Sequence, residues 1–334
     1  MEIIHKPVLL RECLEFLSPE GEVFEEDALM IDSTLGEGGH SAAFLDKYNN
    51  LRIIGLDADS NIQARAKERL AVFGSRMDFH LGWFNDYYAN FPVEQRRPDL
   101  ILFDLGISVF HYECSKRGFS FRKDEPLDMR LSENTDICAA DIVNGWSKEA
   151  IANLLYLYGE ERYSRKIADA IIFARQNSKI ENAADLADVV YRCVPASYRH
   201  GVIHPATKTF QALRIAVNKE LSRLPKVLPD AFNVLKCGGK MGVITFHSLE
   251  DRIVKNYFRS LSKDCICPLE QPICICGGKP HAQLLTKKPV CPTEFEVEQN
   301  SPSRSAKLRV IRKLKEISPQ AAKIIEPECR GSFL

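Results

Sequence analysis

The sequence lacks the features that would assign it at once to a membrane, secreted or strongly basic class. Its 45 Lys and Arg residues are balanced by 45 Asp and Glu residues, so any nucleic-acid binding must depend on a local basic surface. No apolar run approaches the roughly 20 residues of a membrane span, and the charged N-terminus lacks the apolar segment of a signal peptide. The eleven cysteines are therefore expected to be free thiols or metal ligands in a reducing compartment. We expect a soluble, cytoplasmic protein with no membrane partner.

Strand-like and helical segments alternate through the first third of the chain. Short apolar segments typical of buried strands are each followed by a helical pattern, such as the amphipathic "DSNIQARAKERLAVF". This alternation predicts an α/β fold in which right-handed crossovers join parallel strands. The predicted strands are 28–33, 51–57, 77–82 and 99–106, followed much later by 239–247 and 304–314.

The alternation stops after the fourth predicted strand. From 109 to 204 the sequence has helical patterns, one of them opened by Ser147 as an N-cap. We interpret 109–204 as a helical insertion in a larger domain formed by 1–108 and 205–318, and 319–334 as a flexible tail. The Cys- and Pro-rich stretch 264–293 is predicted to be a loop.

The segment "DSTLGEGGHSAAF", 32–44, places three glycines between a carboxylate and a predicted helix. No Gly-Lys-Ser/Thr follows the glycines, which excludes a P-loop. A dinucleotide-binding turn would fit Gly36 and Gly38 but would need Gly or Ala in place of Ser41, and Asp32 would repel its pyrophosphate. A cofactor with a sulfonium and an ammonium group would instead be attracted by Asp32. The pattern therefore favours S-adenosylmethionine, and it is similar to the first motif of class I methyltransferases.

Two further carboxylates stand where predicted strands end. Asp57 closes the second strand, where a carboxylate accepts hydrogen bonds from ribose hydroxyls, and Asp104 closes the fourth. Parallel strands bring such ends to one edge of the sheet, where α/β folds bind ligands. Asp57 alone does not identify the cofactor, because nicotinamide enzymes use the same contact, and it could also cap the next helix. A nicotinamide-dependent oxidoreductase and a non-enzymatic RNA-binding factor are the alternatives to a methyltransferase.

Four longer segments resemble one family. They are "RGFSFRKDEPLDMRL", "GEERYSRKIADAI", "HPATKTFQALRIAVNKEL" and "FHSLEDRIVKNYF". They resemble the bacterial small-subunit rRNA methyltransferase H family, which methylates N4 of a cytidine in 16S rRNA, and the resemblance runs from "HKPVLL" to "RSAKLRV". It implies a class I, Rossmann-like S-adenosylmethionine-dependent fold with a mostly parallel seven-stranded sheet, and 16S rRNA within the 30S subunit as partner. It also implies that the helical insertion recognises the substrate, and it leaves a homodimer open.

The same resemblance implies a set of cofactor contacts in the glycine loop, at the strand ends and at two ring positions. One member, His111, stands where the family usually has glutamine. The set is Gly36, Gly38, Gly39, His40, Asp57, Phe84, Asp104 and His111.

Methyl transfer from a sulfonium requires alignment and a suitable nucleophile. The exocyclic amine of cytosine is a poor nucleophile because its lone pair is delocalised into the ring. Asp104 is our candidate for the acceptor that holds the amine N–H, with the backbone carbonyl of Leu105, and His247 is a candidate base. Methylation at C5 would need a nucleophilic cysteine, commonly after a proline, and the chain has no Pro-Cys. The residues alone leave an amine and an oxygen acceptor open, and the resemblance implies N4.

The turn that contains His247 also has a simpler interpretation. Ser248 would cap the helix that follows, and Glu250 and Asp251 in its first turn would favour the helix dipole. Capping by Ser248 is compatible with contact between His247 and the substrate.

Four polar residues elsewhere are candidates for substrate binding. Arg214 and Asn218 share a polar stripe at helical spacing, which is either a solvated face or, by the resemblance, faces the substrate cleft. Asp128 and Arg130 either form an ion pair or leave Arg130 for an RNA phosphate.

Two Cys-x-Cys pairs lie close together in the predicted loop. Four thiolates could close a structural zinc site, and free cysteines in a loop are the alternative. The four cysteines are Cys265, Cys267, Cys274 and Cys276.

A run of basic residues occupies the last predicted strand. It is interpreted either as an edge strand protected by charge or as a phosphate-binding rim. Recognition of an extruded cytidine would also need an aromatic platform such as Phe119 or Phe121. The basic residues are Arg304, Lys307, Arg309, Arg312, Lys313 and Lys315.

Overall fold

The computed structural model describes residues 6–19, 24, 27–92, 94–265, 267, 278–318, 322 and 325. Within them the chain forms two compact units. The α/β unit is made of Met1–Ile107 with Arg223–Cys329, and the described part of the helical unit is Ser108–Ser222. The predicted tail, 319–334, lies outside the described residues except for two positions. In the described ranges, no helix combines the length and the apolar character needed to cross a bilayer.

Strands and helices alternate in the α/β unit, whereas the described part of the other unit contains helices and an isolated β-bridge between Pro126 and Asn182. The strands are β1 Ala28–Asp32, β2 Leu51–Asp57, β3 Met77–Leu81, β4 Leu100–Asp104, β5 Lys240–Thr245, β6 Ala282–Leu284 and β7 Lys307–Lys313. The helices are α1 Leu10–Phe16, α2 Gly39–Lys47, α3 Ser60–Leu70, α4 Phe84–Ala89, α5 Val109–Glu113, α6 Ala139–Gly145, α7 Lys148–Gly159, α8 Ser164–Asn177, α9 Ala183–Cys193, α10 Ala196–Arg199, α11 Ala206–Asn218, α12 Glu220–Val234, α13 Ser248–Leu261 and α14 Glu294–Gln299.

The predicted seven-stranded, mostly parallel sheet is confirmed. Its order is β3-β2-β1-β4-β5-β7-β6. Strands β1 to β5 run parallel, and β7 is antiparallel to both of its neighbours. The carboxyl ends of the parallel strands therefore meet at one edge, which brings Asp32, Asp57 and Asp104 to the same side of the sheet.

The sequence did not predict β6, which lies in the stretch expected to be a loop. With three residues, it is too short to show an alternating pattern. Because β6 pairs with β7, the strand β7 has neighbours on both sides. The edge-strand interpretation of the basic run is therefore wrong.

Alternate residues of the central strands face two separate cores. Ile31 and Phe103 belong to one core cluster, and Met30 and Leu102 belong to the other. Successive side chains of a strand point to opposite faces, so a parallel sheet must be covered on both. Helices α4, α12 and α13 supply buried residues to the first core, and α1, α2 and α3 supply them to the second.

In the helical unit, α7 packs against both α8 and α11. Gly159 at the end of α7 allows this approach, since a Cβ there would lie 2.7 Å from the carbonyl oxygen of Lys208. Ser147 caps α7 as predicted, and its Oγ accepts from the backbone N of Ala150 at 3.2 Å. The helix α11 packs within this unit, although the sequence interpretation assigned 205–318 to the other domain.

Candidate active site

The glycine loop, residues 33–38, joins β1 to α2 and is shaped by its own chain. Gly36 and Gly38 have left-handed φ values of 54° and 76°, which glycine adopts without strain. A Cβ on Gly38 would lie 2.6 Å from Cδ1 of Leu70, whereas a Cβ on Gly36 would meet no atom within 4 Å. The loop thus packs tightly at Gly38 and borders open space at Gly36.

Asp32, at the end of β1, is buried beneath this loop and is 2% exposed. Its Oδ2 accepts from Oγ of Ser41 at 2.7 Å, and its Oδ1 accepts from the backbone N of Thr34 at 3.4 Å. Burial raises the pKa of Asp32 to about 6, against the opposing effect of these hydrogen bonds. The carboxylate is therefore mostly charged at neutral pH. Its hydrogen bonds anchor the glycine loop, and its negative charge attracts a cationic ligand.

Asp57, at the end of β2, faces the glycine loop. Its Oδ2 accepts from the backbone N of Gly36 at 2.8 Å, and its Oδ1 accepts from the backbone N of Asp59 at 2.9 Å. The helix α3 is capped by Asp59, whose Oδ1 accepts from the backbone N of Asn61 at 2.9 Å. The helix-cap interpretation of Asp57 is therefore wrong. Its half-buried carboxylate lies next to the open space at Gly36.

Phe84 begins α4 and is half-buried beside the end of β3. Its ring meets Phe103 of β4 edge-on, with centroids 5.7 Å apart. The neighbouring indole of Trp83 is covered by the guanidinium of Arg223 at 3.8 Å, and Arg223 Nη1 donates to Oδ1 of Asn85 at 2.6 Å. The sequence analysis missed this stacked pair, because Arg223 lies far from Trp83 in the chain and only the fold brings them together.

Asp104 closes β4 with a side chain that is 18% exposed. Its backbone N donates to Oγ1 of Thr34 at 2.6 Å. Within the described residues its buried Oδ1 has no hydrogen-bond partner, and its Oδ2 lies 3.6 Å from Nδ1 of His40. Burial, followed by the charges of Asp32 and Glu250, raises the pKa of Asp104 well above its usual range. Asp104 therefore has one oxygen without a partner in the described part of the chain, and its raised pKa makes it hold a proton more readily than an exposed carboxyl.

His40 faces Asp104 at a distance of 3.6 Å between Nδ1 and Oδ2. Its Nε2 lies 3.0 Å from the carbonyl oxygen of Val8, and this nitrogen must carry hydrogen because a carbonyl oxygen can only accept. Nδ1 then faces Oδ2 of Asp104, which is favourable when either group holds one further proton. Gly39 keeps the N-terminal segment close, since a Cβ there would lie 2.5 Å from Cγ of Pro7.

His247 is the N-cap of α13, so Ser248 is its first helical residue and the predicted cap at Ser248 is wrong. Nδ1 of His247 accepts from the backbone N of Glu250 at 3.5 Å, and Nε2 lies 3.2 Å from Oε1 of Glu250. Glu250 is 3% exposed, and its Oε2 accepts from the backbone N of Phe246 at 3.0 Å. His247 could take up a proton at Nδ1 only by giving up this capping hydrogen bond. Asp104 is the better placed proton acceptor.

In the helical unit, His111 lies on α5 and is 4% exposed. Its ring is 5.4 Å from that of Phe119, which is itself buried. The ring of Phe121 is stacked on His204 with centroids 4.5 Å apart. The two aromatic residues considered as platforms for a base are thus both engaged inside this unit.

Asp128 and Arg130 form the ion pair that the sequence left as one of two interpretations. Nε of Arg130 donates to Oδ1 of Asp128 at 2.9 Å, and Nη2 donates to Oδ2 at 2.7 Å. Burial raises the pKa of Asp128, but the hydrogen bonds and charge of Arg130 outweigh it, and the net direction is downward. The side chain of Arg130 is still 37% exposed.

Asn218 on α11 is fully buried and supports a loop of the same unit. Its side-chain amide donates to the carbonyl oxygen of Met129 at 2.8 Å and accepts from the backbone N of Leu131 at 2.9 Å. Met129 has a left-handed φ of 62°, which a side chain makes unfavourable. Arg214 is committed to Glu220 through two contacts of 2.9 Å. The polar stripe of α11 is therefore an internal support and not a solvated face.

Two members of the basic run on β7 are buried and paired. Arg309 is 8% exposed, and its Nε donates to Oδ1 of Asp251 at 2.7 Å. Lys313 is 0% exposed, and its Nζ donates to the carbonyl oxygens of Phe232 and Leu235, both at 2.9 Å. Arg309 and Lys313 therefore stabilise the fold. The interpretation of the basic run as a phosphate-binding rim is wrong at these two positions.

The two Cys-x-Cys pairs are described in part. Cys265 is exposed and Cys267 is half-buried. Cys274 and Cys276 lie outside the described residues. The structural zinc site stays a prediction.

Comparison with known proteins identifies the family. The model of the MraW methylase family matches residues 2–314. A ribosomal RNA small subunit methyltransferase H of Treponema denticola is 58% identical, over 94% of this chain and 98% of that protein. One from Treponema pallidum is 44% identical, over 93% of each chain. The structure of an rRNA methylase from Streptococcus thermophilus matches 94% of this chain and 99% of its own, with 10% sequence identity and a TM-score of 0.43. A similarity this distant does not identify a function. Since the family model covers nearly the whole sequence and the relatives are this similar along their full length, this chain belongs to the MraW methylase family.

Proposed function

We propose that this protein is an S-adenosylmethionine-dependent rRNA methyltransferase that methylates the exocyclic N4 amine of a cytidine in 16S rRNA of the small subunit. The observation that carries the proposal is Asp104, a half-buried carboxyl at the sheet edge with one oxygen that has no partner in the described part of the chain and with a raised pKa. Membership of a methylase family supports the methyl transfer, and relatives named ribosomal RNA small subunit methyltransferase H support the substrate. Membership of a methylase family gives no support to the alternative of a nicotinamide-dependent oxidoreductase.

The residues at the sheet edge fit the proposed cofactor. Asp57 offers acceptors for ribose hydroxyls next to the open space at Gly36. The ring of Phe84 offers an apolar surface for adenine. The negative charge of Asp32 favours a cationic ligand over a pyrophosphate. Bound there, S-adenosylmethionine would supply an electrophilic methyl group.

Asp104 would orient the acceptor amine and then take its proton. A hydrogen bond from the amine N–H to Oδ1 favours the pyramidal geometry in which the nitrogen lone pair can attack. Oδ1 can accept this bond without losing another, because it has no partner in the described part of the chain. The raised pKa makes Asp104 a stronger base than an ordinary carboxylate. His40 lies 3.6 Å from the other oxygen, Oδ2, and so restricts the orientation of the carboxyl.

Replacing Asp104 tests this assignment. In Asp104→Ala we expect kcat for methylation of 30S subunits to fall by about 10²- to 10⁴-fold, the usual contribution of a positioned acid or base. Asp104→Asn keeps one acceptor oxygen and should lose less. The measurement is transfer of a labelled methyl group to 30S subunits from a strain without this protein, with mass spectrometry of the modified nucleoside.

Asp78→Ala is the matched control, because Asp78 is an exposed carboxylate of the same sheet, and its kcat should equal that of the wild type. Full activity in Asp104→Ala would refute the role of Asp104. Absence of N4-methylcytidine in the wild-type reaction would refute the proposed function and leave the RNA-binding factor as the alternative.

A further inference from the structure

Arg162 in the helical unit is held by aromatic rings. Its guanidinium carbon lies 4.9 Å from the ring centroid of Tyr163 and 4.9 Å from that of Tyr198. The two rings are 4.9 Å apart and inclined at 67° to each other. Among the described residues no carboxylate forms an ion pair with Arg162. Cation–π attraction therefore positions this cation while its N–H donors stay available.

A buried carboxylate makes the ring pair rigid. Glu161 is 0% exposed, its Oε1 accepts from the backbone N of Tyr163 at 2.8 Å, and its Oε2 accepts from the hydroxyl of Tyr198 at 2.6 Å. Burial and then the hydrogen bond to Glu161 raise the pKa of Tyr198, so the phenol stays protonated and keeps donating. Glu161 is thus committed to the two tyrosines.

Other cations lie near Arg162 in sequence or beside its ring partner Tyr198, in a chain with no net charge. Arg165 and Lys166 are exposed in the first turn of α8, and Arg199 follows Tyr198. Glu160 and Glu161 offset part of this charge. We call Arg162, Arg165, Lys166 and Arg199 the Arg162 surface.

Another exposed arginine of the same unit, Arg192, is neutralised by a carboxylate. Arg192 on α9 forms an ion pair with Asp188 of the preceding turn, at 2.6 Å. Its charge is balanced on its own helix, whereas Arg162 has an uncommitted guanidinium on a fixed support. The contrast between these two residues points to a ligand with negative charge at Arg162.

We propose that the Arg162 surface binds the phosphate backbone of RNA, with Arg162 as a bidentate phosphate contact. The inference rests on the proposed function, which makes an RNA the substrate. A planar guanidinium matches two phosphate oxygens at once, and a side chain already held on two rings loses little freedom when it binds. Such a contact positions the RNA without reading its sequence.

Arg162→Ala tests the proposal in the full-length protein. We expect its affinity for purified 30S subunits to fall about tenfold, the effect of one lost charge-assisted contact. The slope of log affinity against log salt concentration should decrease by about one, because one fewer counterion is released. KM for 30S subunits should rise while kcat at saturation stays unchanged.

Arg192→Ala is the matched control, since it removes an exposed arginine of the same unit that already has a carboxylate partner. Its affinity and salt slope should equal those of the wild type. Arg162→Lys keeps the charge without the planar fork, so it should keep the salt slope and lose part of the affinity. Thermal unfolding shows whether each variant is folded. If Arg162→Ala is not folded, the affinity of Arg162→Lys tests the proposal instead.

Wild-type affinity and slope in Arg162→Ala, or unchanged affinity in Arg162→Lys, would overturn the proposal. An equal loss in Arg162→Ala and Arg192→Ala would overturn it as well, because general charge would then explain the binding. If wild-type protein binds 30S subunits but transfers no methyl group, the proposed function fails while this inference stands.

Discussion

Gly36 and Gly38 have the same left-handed backbone but different surroundings. At Gly36 an added Cβ meets open space, and at Gly38 it would lie 2.6 Å from the buried side chain of Leu70. The conformational cost of a side chain is the same at both positions, and the steric cost arises at Gly38 alone. Substitutions at Gly36 and Gly38 therefore distinguish the energetic cost of backbone strain from the cost of steric overlap in the glycine loop.

We expect Gly36→Ala to lower the free energy of unfolding by about 1 kcal/mol, the cost of a left-handed alanine. Gly38→Ala should lower it by roughly 2 to 4 kcal/mol, because overpacking against Leu70 adds to that cost. Urea denaturation of both variants measures the difference. Equal losses would mean that Leu70 moves aside freely and that the contact at Gly38 does not restrict the loop.

At the scale of elements, β7 joins α12 to the sheet through a buried cation. Nζ of Lys313 donates to the carbonyl oxygens of Phe232 and Leu235 and, at 2.8 Å, to Oε2 of Glu316. The last carbonyls of a helix have no partner within the helix, so a donor from elsewhere is needed. Burial lowers the pKa of Lys313, which Glu316 partly opposes. The lysine side chain thus links the end of α12 to β7.

Lys313→Met should therefore destabilise the protein by about 3 kcal/mol, because it leaves buried carbonyl oxygens without their donor. Lys307→Met is the matched control: it lies on the same strand, and its side chain is 39% exposed. Chemical denaturation of the two variants is the measurement. Similar stability of Lys313→Met and Lys307→Met would show that the capping contact contributes little.

At the scale of the whole molecule, the buried carboxyls at the sheet edge make stability depend on pH. The pKa of Asp32 is raised from 3.8 to about 6 in the folded protein, so the folded state binds this proton more tightly than the unfolded state. Its contribution to stability is fully present below the unfolded pKa and is lost as pH rises through the folded pKa. Asp104, whose pKa is also raised, acts in the same direction.

Between about pH 4 and pH 7, Asp32 should lower the free energy of unfolding by roughly 2 kcal/mol. Asp32→Asn removes this titration, so its stability should fall less over the same range. Urea denaturation at both pH values gives the comparison, and Asp78→Asn, with an exposed carboxylate on β3, should follow the wild type. Parallel pH profiles for wild type and Asp32→Asn would contradict the assigned burial of Asp32.

The sequence by itself determined the features that depend on local pattern. Alternating apolar strands and helices specify the parallel sheet, because their periods reflect which faces must be buried. Parallel strands then place Asp57 and Asp104 at one edge, whatever the rest of the chain does. The glycine loop is equally local, since its left-handed φ angles favour glycine at Gly36 and Gly38.

Only the tertiary structure determined which residues far apart in the sequence come into contact, and therefore which charged side chains are available to bind a ligand. Spacing could not show that β6 covers β7, that Lys313 turns inward, or that Asn218 supports a loop 87 residues away in sequence. It could not show either that His40 faces Asp104 or that two tyrosine rings support Arg162. Burial and hydrogen-bond partners come from segments far apart in the chain, and these set the charge, direction and freedom of each side chain.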